Sequence, residues 1–438
     1  MKKINFVVIA FIITSKIVYA QHEHHLTFKE DTTSINVETN MDMSHPYLLS
    51  LPMNRNGSGT SWIPDESPMY GYMLHLNKWL LMFHGSIFLR YTGTDITREG
   101  SKGAAKWDAP NWFMGMAQKQ IKENGLLKFS LMMSLEKLTE SGRGYPLLFQ
   151  SGETWNGERL VDRQHPHDLF SELSGAYTQR INKNIDVICY FGYPGEPALG
   201  PTAFMHRASS SNNPDAPLSH HWQDASHITF GTGTLGVRYK MLKIEGSIFN
   251  GSEPDENRFD FDKAKFNSLS YRLSLNPTKN FAMQFSQGFL KSPEALEPDI
   301  NVIRTTASVI HSYVFSSVKN INTTTSWGMN DKESGNIEHS FLLESDLKIN
   351  KLNVYERYEF VQKDSEELNL AEFDTEKKFI ITSLTIGANY KVFNIGNTDF
   401  SLGIQGNIYF TPSELRTIYG NRPLSAQVYL KINPSLMN

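Results

Sequence analysis

Hydrophobic and polar residues alternate along most of the chain beyond residue 70. One clear run sets four apolar residues against four polar ones, namely Leu269, Tyr271, Leu273 and Leu275 against Ser268, Ser270, Arg272 and Ser274. Because successive side chains of a β-strand point to opposite faces, each run predicts a strand with one apolar and one polar face. About 17 such runs, each of roughly ten residues, lie between residues 69 and 432, and no long helical period interrupts them. The pattern predicts an all-β protein.

The connections between these runs alternate between short and long. The short ones, such as Asn77-Lys78 and Asn350-Lys351, have the composition of hairpin turns. The long ones span residues 92–111, 137–167, 193–226, 250–266, 290–304 and 361–377. Short periplasmic turns and long extracellular loops are typical of a transmembrane antiparallel up-and-down β-barrel of the outer membrane. We therefore predict this fold, with loops 137–167 and 193–226 outside the cell.

The number of strands follows from the direction of the chain. The first short turn, Asn77-Lys78, is periplasmic in this arrangement, so the chain must reach the outside before residue 70. Residues 46–53 are the candidate for that first strand, and residues 54–68, rich in Gly, Ser and Pro, are its predicted outer loop. The result is about 18 strands, an even number with both termini in the periplasm. Sixteen strands are the alternative, if one weak pair lies inside the lumen.

The N-terminus has the pattern of a secretory signal peptide. Lys2 and Lys3 precede an apolar stretch at residues 4–14, and Val18 and Ala20 are small residues at the usual positions before a cleavage site. The apolar stretch is too short to span a membrane. We expect residues 1–20 to be removed, residues 21–45 to form a flexible periplasmic leader and residues 46–438 to form the barrel.

Composition excludes several other classes of protein. Charged residues make up 20% of the 438 residues and hydrophobic residues 39%, unlike a chain that is disordered by composition. The formal net charge of −4 argues against a nucleic-acid-binding protein, which normally has a strongly basic face. The single cysteine, Cys189, excludes an internal disulfide and a cysteine-based zinc cage. The polar faces carry both signs of charge, which predicts ion pairs across the lumen rather than strong ion selectivity.

Histidine is the unusual feature of the loops. Six of the 14 histidines are in two long loops or at the adjoining strand ends: His165, His167, His206, His220, His221 and His227. The predicted topology gathers them at the extracellular mouth, and Asp168 and Asp224 are the nearest candidates for carboxylate ligands. Neutral imidazole with carboxylate suits zinc, copper or nickel. These eight residues are therefore the candidate metal site, with copper or zinc as the candidate cofactor.

A purely structural interpretation of the same residues stays open. The imidazoles could hydrogen-bond loop carbonyls and carboxylates and so hold the two loops together. Pro166 favours a strand or turn over a helix, so the helical spacing of many zinc sites is not available here. The two interpretations differ in whether removal of histidines changes metal content.

Three segments resemble a family of uncharacterised Gram-negative outer-membrane barrels, porin-like proteins found alongside copper and heavy-metal efflux systems. The segments are residues 56–65 (NGSGTSWIPD), residues 162–170 (DRQHPHDLF), and residues 195–201 (GEPALGP) with 204–207 (FMHR). The resemblance implies an outer-membrane location and a link to metal handling, and it assigns no residue a role. The sequence departs from many bacterial barrels in that no terminal Phe follows its last predicted strand.

The sequence supports an outer-membrane porin-like channel or transport component, linked to transition-metal handling. Two alternatives stay open: a non-conducting barrel whose histidine-rich loops bind a metal or ligand, and a hydrolase at the barrel rim. Serines are plentiful near the histidines, but no Gly-x-Ser-x-Gly motif occurs, so no enzyme activity is predicted. The expected partners are outer-membrane lipid, the outer-membrane assembly machinery and a small solute or metal ion, with no nucleic acid.

Overall fold

The structure, a computed structural model, describes residues 49–140, 143–375 and 377–437. The predicted signal peptide, the predicted leader and the first part of the predicted strand at residues 46–53 lie outside the described residues.

Strands account for 56% of the structure and helices for 6%. The strands are β1 (Tyr72–Leu76), β2 (Trp79–Gly93), β3 (Ala105–Asp108), β4 (Asn111–Ile121), β5 (Gly125–Met133), β6 (Tyr145–Pro146), β7 (Glu153–Trp155), β8 (Glu158–Leu160), β9 (Arg163–Gln164), β10 (Phe170–Asn182), β11 (Ile185–Gly192), β12 (Thr232–Tyr239), β13 (Leu242–Phe249), β14 (Ser268–Thr278), β15 (Phe281–Leu290), β16 (Val302–Ser316), β17 (Lys319–Lys332), β18 (Ile337–Ile349), β19 (Leu352–Asp364), β20 (Lys378–Ile395), β21 (Thr398–Phe410) and β22 (Leu424–Pro434). The helices are α1 (Glu136–Thr139), α2 (His220–Gln223) and α3 (Arg416–Tyr419), with 3-10 turns at Met53–Arg55, Phe204–His206, Ala225–His227 and Ser413–Leu415.

Sixteen of the described strands close into an antiparallel barrel, which confirms the predicted fold class. From β10 to β22 each strand pairs with the next in the chain, and β2, β4, β5 and β10 are joined in the same order. The barrel closes where β22 pairs with the second half of β2, from Ile87↔Ile432 to Gly93↔Ala426. β1 and β3 lie outside the closed set and each pairs with part of β2.

The strand count is that of the alternative, sixteen rather than eighteen, because the described residues before β1, residues 49–71, form no strand of the barrel. The described part of the predicted first strand, residues 49–53, leads into a 3-10 turn. Residues 54–68, predicted as an outer loop, run inside the barrel, where Thr60 accepts hydrogen bonds from Lys243 and Arg272 of the wall. The hydroxyls of Ser67 and of Ser312 in β16 are hydrogen-bonded to each other at 3.1 Å.

The predicted alternation of connections is present along the described chain. Eight turns of two or three residues join strands at one end of the barrel: residues 77–78, 122–124, 183–184, 240–241, 279–280, 317–318, 350–351 and 396–397. Several use residues with positive φ that favour hairpin turns, such as Asn77 and Asn350. The connections at the other end are long, apart from the four residues between β17 and β18.

The two faces of the wall have the polarity of a membrane barrel. Strand parity predicts that Tyr271, Leu273 and Phe285 face lipid, and their side chains are 44%, 42% and 42% exposed. The same parity predicts that Arg272, between two of them, faces the lumen, and it is 1% exposed. Apolar residues outside and charged residues inside reverse the arrangement of a soluble protein, and the outward face suits lipid.

Two chain segments fill much of the lumen, and we call residues 49–68 and 193–231 together the lumen plug. The second segment is hydrogen-bonded to several strands of the wall. Ala198 bonds to Ser247 of β13, Arg207 to Glu344 of β18, and Asn212 to Asp346 of β18 and Asn389 of β20. The segments also bond to each other, through Ser61 and Thr202. The lumen is therefore a filled interior, crossed by hydrogen bonds and ion pairs.

The largest apolar core lies at the long-loop end of the barrel rather than in the membrane-spanning wall. Tyr145, Leu147, Leu148 and Phe149 pack there against residues of two other loops and the adjoining strand ends, including Leu368 and Tyr419. This core joins loop 134–169 to loops 365–377 and 411–423, so the loops form a fixed cap.

Among the described residues, no helix is long and apolar enough to cross a membrane.

Candidate metal centre

Five of the six predicted loop histidines lie together in a closed ring of imidazoles, which we call the histidine ring. Around the ring, neighbouring centroids are separated by 6.0 Å (His165 to His167), 5.5 Å (His167 to His227), 5.0 Å (His227 to His220), 5.3 Å (His220 to His221) and 6.5 Å (His221 to His165). Four of the five are buried, and His227 is half-buried. The predicted convergence of the two loops thus brings these five residues to one place.

Local structure positions each half of the ring. His165 and His167 follow β9, whose pairing with β6 through Tyr145↔Gln164 holds the chain just before them. Pro166 keeps this stretch out of a helix, and it runs on into β10. His220 and His221 begin α2, and His227 ends the 3-10 turn that follows it.

Every imidazole of the ring has an oxygen at its Nδ1 atom. The pairs are His167 with Glu136 (2.6 Å), His220 with Asp224 (2.7 Å), His221 with Glu253 (3.4 Å), His227 with the Asp224 carbonyl (2.8 Å) and His165 with the Pro166 carbonyl (3.1 Å). In metal sites such partners fix the orientation and tautomer of an imidazole and leave Nε2 as the metal ligand.

Three of the Nε2 atoms are unsatisfied. Those of His167, His221 and His227 are buried and have no hydrogen-bond partner among the described residues. A buried polar atom without a partner costs about 1–3 kcal/mol, so these nitrogens indicate a ligand. On one side of the ring, Glu153, His165 and His221 each offer a ligand atom, and these atoms lie within 4.8 Å of one another. That spacing is compatible with one shared metal ion.

Burial sets the protonation of most of the ring. It lowers the pKa of His165 to about 4, with Glu153 opposing the shift, and the pKa of His221 likewise to about 4. It also lowers the pKa of His220 and His227. At His167 burial acts in the same direction, but the Glu136 carboxylate outweighs it and raises the pKa. Four of the five imidazoles are therefore neutral at pH 7, which is the form that binds metals.

The two predicted carboxylates have different surroundings. Asp224 contacts the ring directly and is held on its other side by Arg207, at 2.9 Å. Asp168 pairs with Arg258 at 3.2 Å, and Arg258 pairs with Glu153 at 3.1 Å. Burial raises the pKa of Asp168 to about 6, against the effect of Arg258. Asp168 is thus linked to the ring through Arg258 and Glu153, and its role as a metal ligand stays a prediction.

His206 is the predicted histidine that lies apart from the ring. Its imidazole packs on Trp112 at 4.9 Å and lies 5.6 Å from the imidazole of His84 in β2. Phe204, two residues earlier, is the neighbour that contacts the ring, at 5.4 Å from His220. The 3-10 turn Phe204–His206 therefore directs His206 toward the wall and not toward the other histidines.

Sequence reasoning missed the carboxylates Glu136, Glu153 and Glu253, which hold three of the imidazoles. Glu136 immediately follows a predicted strand run, and a search for acidic residues at strand ends would have found it. Glu153 and Glu253 are acidic residues among many in long loops, and nothing local distinguishes them.

A cleft of about 840 Å³ lies among the long loops. Its lining includes Glu153 and Glu253, which contact His165 and His221 of the ring, and also Asp255, Asp260 and Asp262. The last three carboxylates each offer an oxygen within 4.8 Å of the others, and two of the three residues are exposed. Seven carboxylates against Arg159, Lys263 and Lys265 give the cleft an acidic lining.

Three of the serines near the histidines bond to the wall. The hydroxyl of Ser209 bonds to Thr324 and Glu344, that of Ser210 accepts from Arg357, and that of Ser219 donates to Glu359. A serine nucleophile needs an imidazole as its partner, and these three hydroxyls are bonded elsewhere.

Comparison with solved structures places the barrel among outer-membrane porins. An anion-selective porin from Comamonas acidovorans superposes with a TM-score of 0.50 at 8% sequence identity, covering 81% of this chain and 99% of the porin. A loop-deletion mutant of OmpT, an outer membrane protein of Vibrio cholerae, has a TM-score of 0.48 at 8% identity over 82% of this chain and 100% of that one. OmpF of Salmonella typhi in complex with daunomycin has a TM-score of 0.47 at 8% identity, with 82% and 100% covered.

The protein is thus a porin-like antiparallel β-barrel. At this level of identity the similarity concerns the fold alone. No protein-family model matches the sequence, and no curated protein matches it.

Proposed function

We propose that this protein is a Gram-negative outer-membrane barrel that binds a divalent transition-metal ion at the histidine ring. The observation that carries the proposal is the set of five imidazoles, each with an oxygen at Nδ1, of which three have buried Nε2 atoms with no partner among the described residues.

The donor set suits Zn²⁺, Cu²⁺ or Ni²⁺, since imidazole nitrogen and carboxylate oxygen are ligands that these ions accept. Glu153, His165 and His221 would hold the ion on one side of the ring, and His167 and His227 offer further nitrogens. Four ligands are enough for zinc, so the fifth histidine would position its neighbours. With the ion in place, loops 134–169 and 193–231 would be cross-linked at the outer end of the barrel.

The surroundings support capture of a cation from outside the cell. The acidic cleft opens among the long loops, which are extracellular in the usual orientation of such barrels. Export through a signal at residues 1–20, folding by the outer-membrane assembly machinery and contact with outer-membrane lipid are the matching expectations for its location and partners.

A solute channel is the second candidate function, and the fold favours it because the barrel superposes on an anion-selective porin. The lumen plug and its bonds to the wall argue for low conductance in the resting protein. Arg90, Arg207, Arg272 and Arg357 of the interior each contact a carboxylate, so a charge-selective lumen is not expected. The two functions are separable, because metal binding needs the ring and conductance needs mobility of the plug.

Metal content tests the proposal directly. We would incubate the detergent-solubilised protein with Zn²⁺ or Cu²⁺, remove free metal and measure the bound metal by mass spectrometry. Three proteins are compared: wild type, the double variant His165→Gln with His221→Gln, and the control His75→Gln, an exposed histidine of β1. Wild type and control should retain one ion more than the double variant. Any metal held by His22, His24 and His25 is common to all three, and equal metal content in the three would overturn the proposal.

A further inference from the structure

The part of the wall formed by β2 and β4 has sulfur where a porin wall has polar groups. Met82 is the cross-strand partner of Met116, and His84 is the partner of Met114. All four face the lumen, because the alternate residues Phe83 and Phe113 are exposed on the outside. Directly paired side chains on one face lie within about 5.5 Å at Cβ, so three thioethers and one imidazole form one group. The lumen side of a barrel is ordinarily polar.

The lumen plug contributes further donors to the same place. A cavity of about 180 Å³ lies between the plug and this wall. It is lined by the four wall residues and, from the plug, by Met53, Met205 and His206. The ring centroids of His84 and His206, which both line this cavity, are 5.6 Å apart. These five methionines and two histidines, from four separate chain segments, thus lie around one internal space.

Packing alone does not account for this arrangement. Methionines that served only as core would fill the space, whereas here they line a cavity larger than one water molecule. The Nε2 atom of His84 is buried and has no hydrogen-bond partner among the described residues. A thioether is at best a weak hydrogen-bond acceptor, so the methionines do not compensate for that unpaired nitrogen.

Thioether sulfur is a soft donor, and soft donors select monovalent copper over hard cations. We infer that this cavity is a second metal site, for a soft monovalent ion such as Cu⁺ or its redox-inert analogue Ag⁺, with Met82, Met114, Met116 and His84 as ligands from the wall. Met53, Met205 and His206 complete the site from the plug. The inference does not depend on the histidine ring, whose nitrogen and oxygen donors suit divalent ions.

The two centres are adjacent. His167 belongs to the histidine ring and also lines the cavity, together with the Glu136 that holds it. At its far side the cavity reaches Met69, just before the start of β1, and Asn433, near the end of β22. An ion in the cavity would therefore lie deeper in the lumen than one in the ring.

Silver binding tests the inference without redox chemistry. The full protein in detergent is given Ag⁺, passed through a column with excess free methionine as a competitor, and analysed for retained silver. Every protein in the comparison carries Cys189→Ala, because the exposed thiol of Cys189 would itself bind silver. The cavity variant is Met82→Leu with Met116→Leu, which conserves volume and removes sulfur. The matched control is Met283→Leu, on the outward face of β15.

The parent protein and the Met283→Leu control should retain one Ag⁺ more than the cavity variant. The histidine-ring variant His165→Gln with His221→Gln, at two ring positions that do not line the cavity, should retain the same silver as the parent, which separates this site from the proposed ring. Heat-modifiable gel mobility verifies that each barrel is folded, and His84→Gln is the second variant if the methionine pair fails to fold. Equal silver in parent and folded cavity variant, or silver lost only from the ring variant, would overturn the inference.

Discussion

Arg90 of β2 and Asp215 of the lumen plug form a buried ion pair, with 2.6 Å between Nη1 and Oδ1. Arg90 is fully buried and also pairs with Asp108 of β3, at 2.5 Å. The other oxygen of Asp215 accepts from Gln405 and Gln427 of β21 and β22. One plug carboxylate is thus bonded to three wall strands, including both that meet where the barrel closes. Asp215 thus attaches the plug to the wall at the point where the barrel closes.

Removal of that attachment should loosen the plug while the barrel stays intact. Breaking a buried ion pair by removing one partner costs about 3–5 kcal/mol, and in Asp215→Ala this cost falls on plug–wall contacts rather than on strand pairing. We expect low conductance for wild type in planar bilayers, and larger or flickering conductance for Asp215→Ala. Glu372→Ala, an exposed loop charge, is the control and should behave as wild type. Identical single-channel records for wild type and Asp215→Ala would show that the plug does not limit conduction.

The lipid-facing surface can be tested in β14. Leu273 is 42% exposed on the outside, and an arginine there should destabilise the barrel by about 2–4 kcal/mol if the position is near the bilayer centre. Leu273→Phe, which keeps the residue apolar, is the control. The measurement is the free energy of unfolding in lipid vesicles by denaturant titration. Equal stability of the two variants would mean that Leu273 does not face hydrocarbon.

The neighbouring lumen position, Arg272, can be tested with an apolar replacement. Arg272 pairs with Glu245 at 3.2 Å and also donates to Thr60 of the plug and to the Gly200 carbonyl. Glu245 would keep Lys243 as a partner in Arg272→Leu, at 3.1 Å. We therefore expect Arg272→Leu to fold as a barrel but to expose the plug to protease. Unchanged proteolysis of the plug would contradict this.

The orientation of the barrel can be read by labelling of introduced cysteines in a Cys189→Ala background. Asn124 is exposed in a short turn, and Lys265 is exposed in loop 250–267. A membrane-impermeant maleimide added to intact cells should label Lys265→Cys and not Asn124→Cys. Asn213, which lies in the loop predicted to be extracellular, is buried in the plug and is unsuitable as a reporter. The reverse labelling pattern would invert the topology.

The barrel was predictable from sequence because a period of two residues is a local property of each strand. Leu273 and Arg272 show it, since their faces follow from parity alone. The lumen plug was not predictable in the same way. Residues 54–68 mix Gly, Ser and Pro with Trp62 and Ile63, and that composition suits an outer loop as well as a segment held by Lys243 inside the barrel. What distinguishes them is contact with strands about 200 residues away, which no local pattern encodes.

The candidate site was partly predictable for a similar reason. Loops that begin and end at one rim must approach each other, so clustered histidines in two of them converge. The direction of each side chain within a loop does not follow from sequence, and hence His206 turned to Trp112 and Asp168 to Arg258. The carboxylates that hold His167 and His221 were not predicted. Glu136 comes from the start of loop 134–169, and Glu253 comes from a third loop, 250–267.

Glu136 should affect metal affinity without binding the metal itself. Glu136 holds His167 at Nδ1, and loss of such a partner typically weakens metal binding by about 10–100-fold. We expect Glu136→Gln to lower Zn²⁺ affinity in this range in competition with a chelator, with Glu372→Gln as the surface control. An affinity equal to that of wild type would remove Glu136 from the centre.

X-ray absorption at the zinc edge of protein loaded with one equivalent of Zn²⁺ tests the histidine ring most directly, because the outer scattering of imidazole identifies histidine ligands. We predict a first shell of nitrogen and oxygen with scattering from at least two imidazoles, reduced in His165→Gln with His221→Gln. A spectrum with no imidazole scattering, or one identical in wild type and the double variant, would contradict a metal centre at the histidine ring.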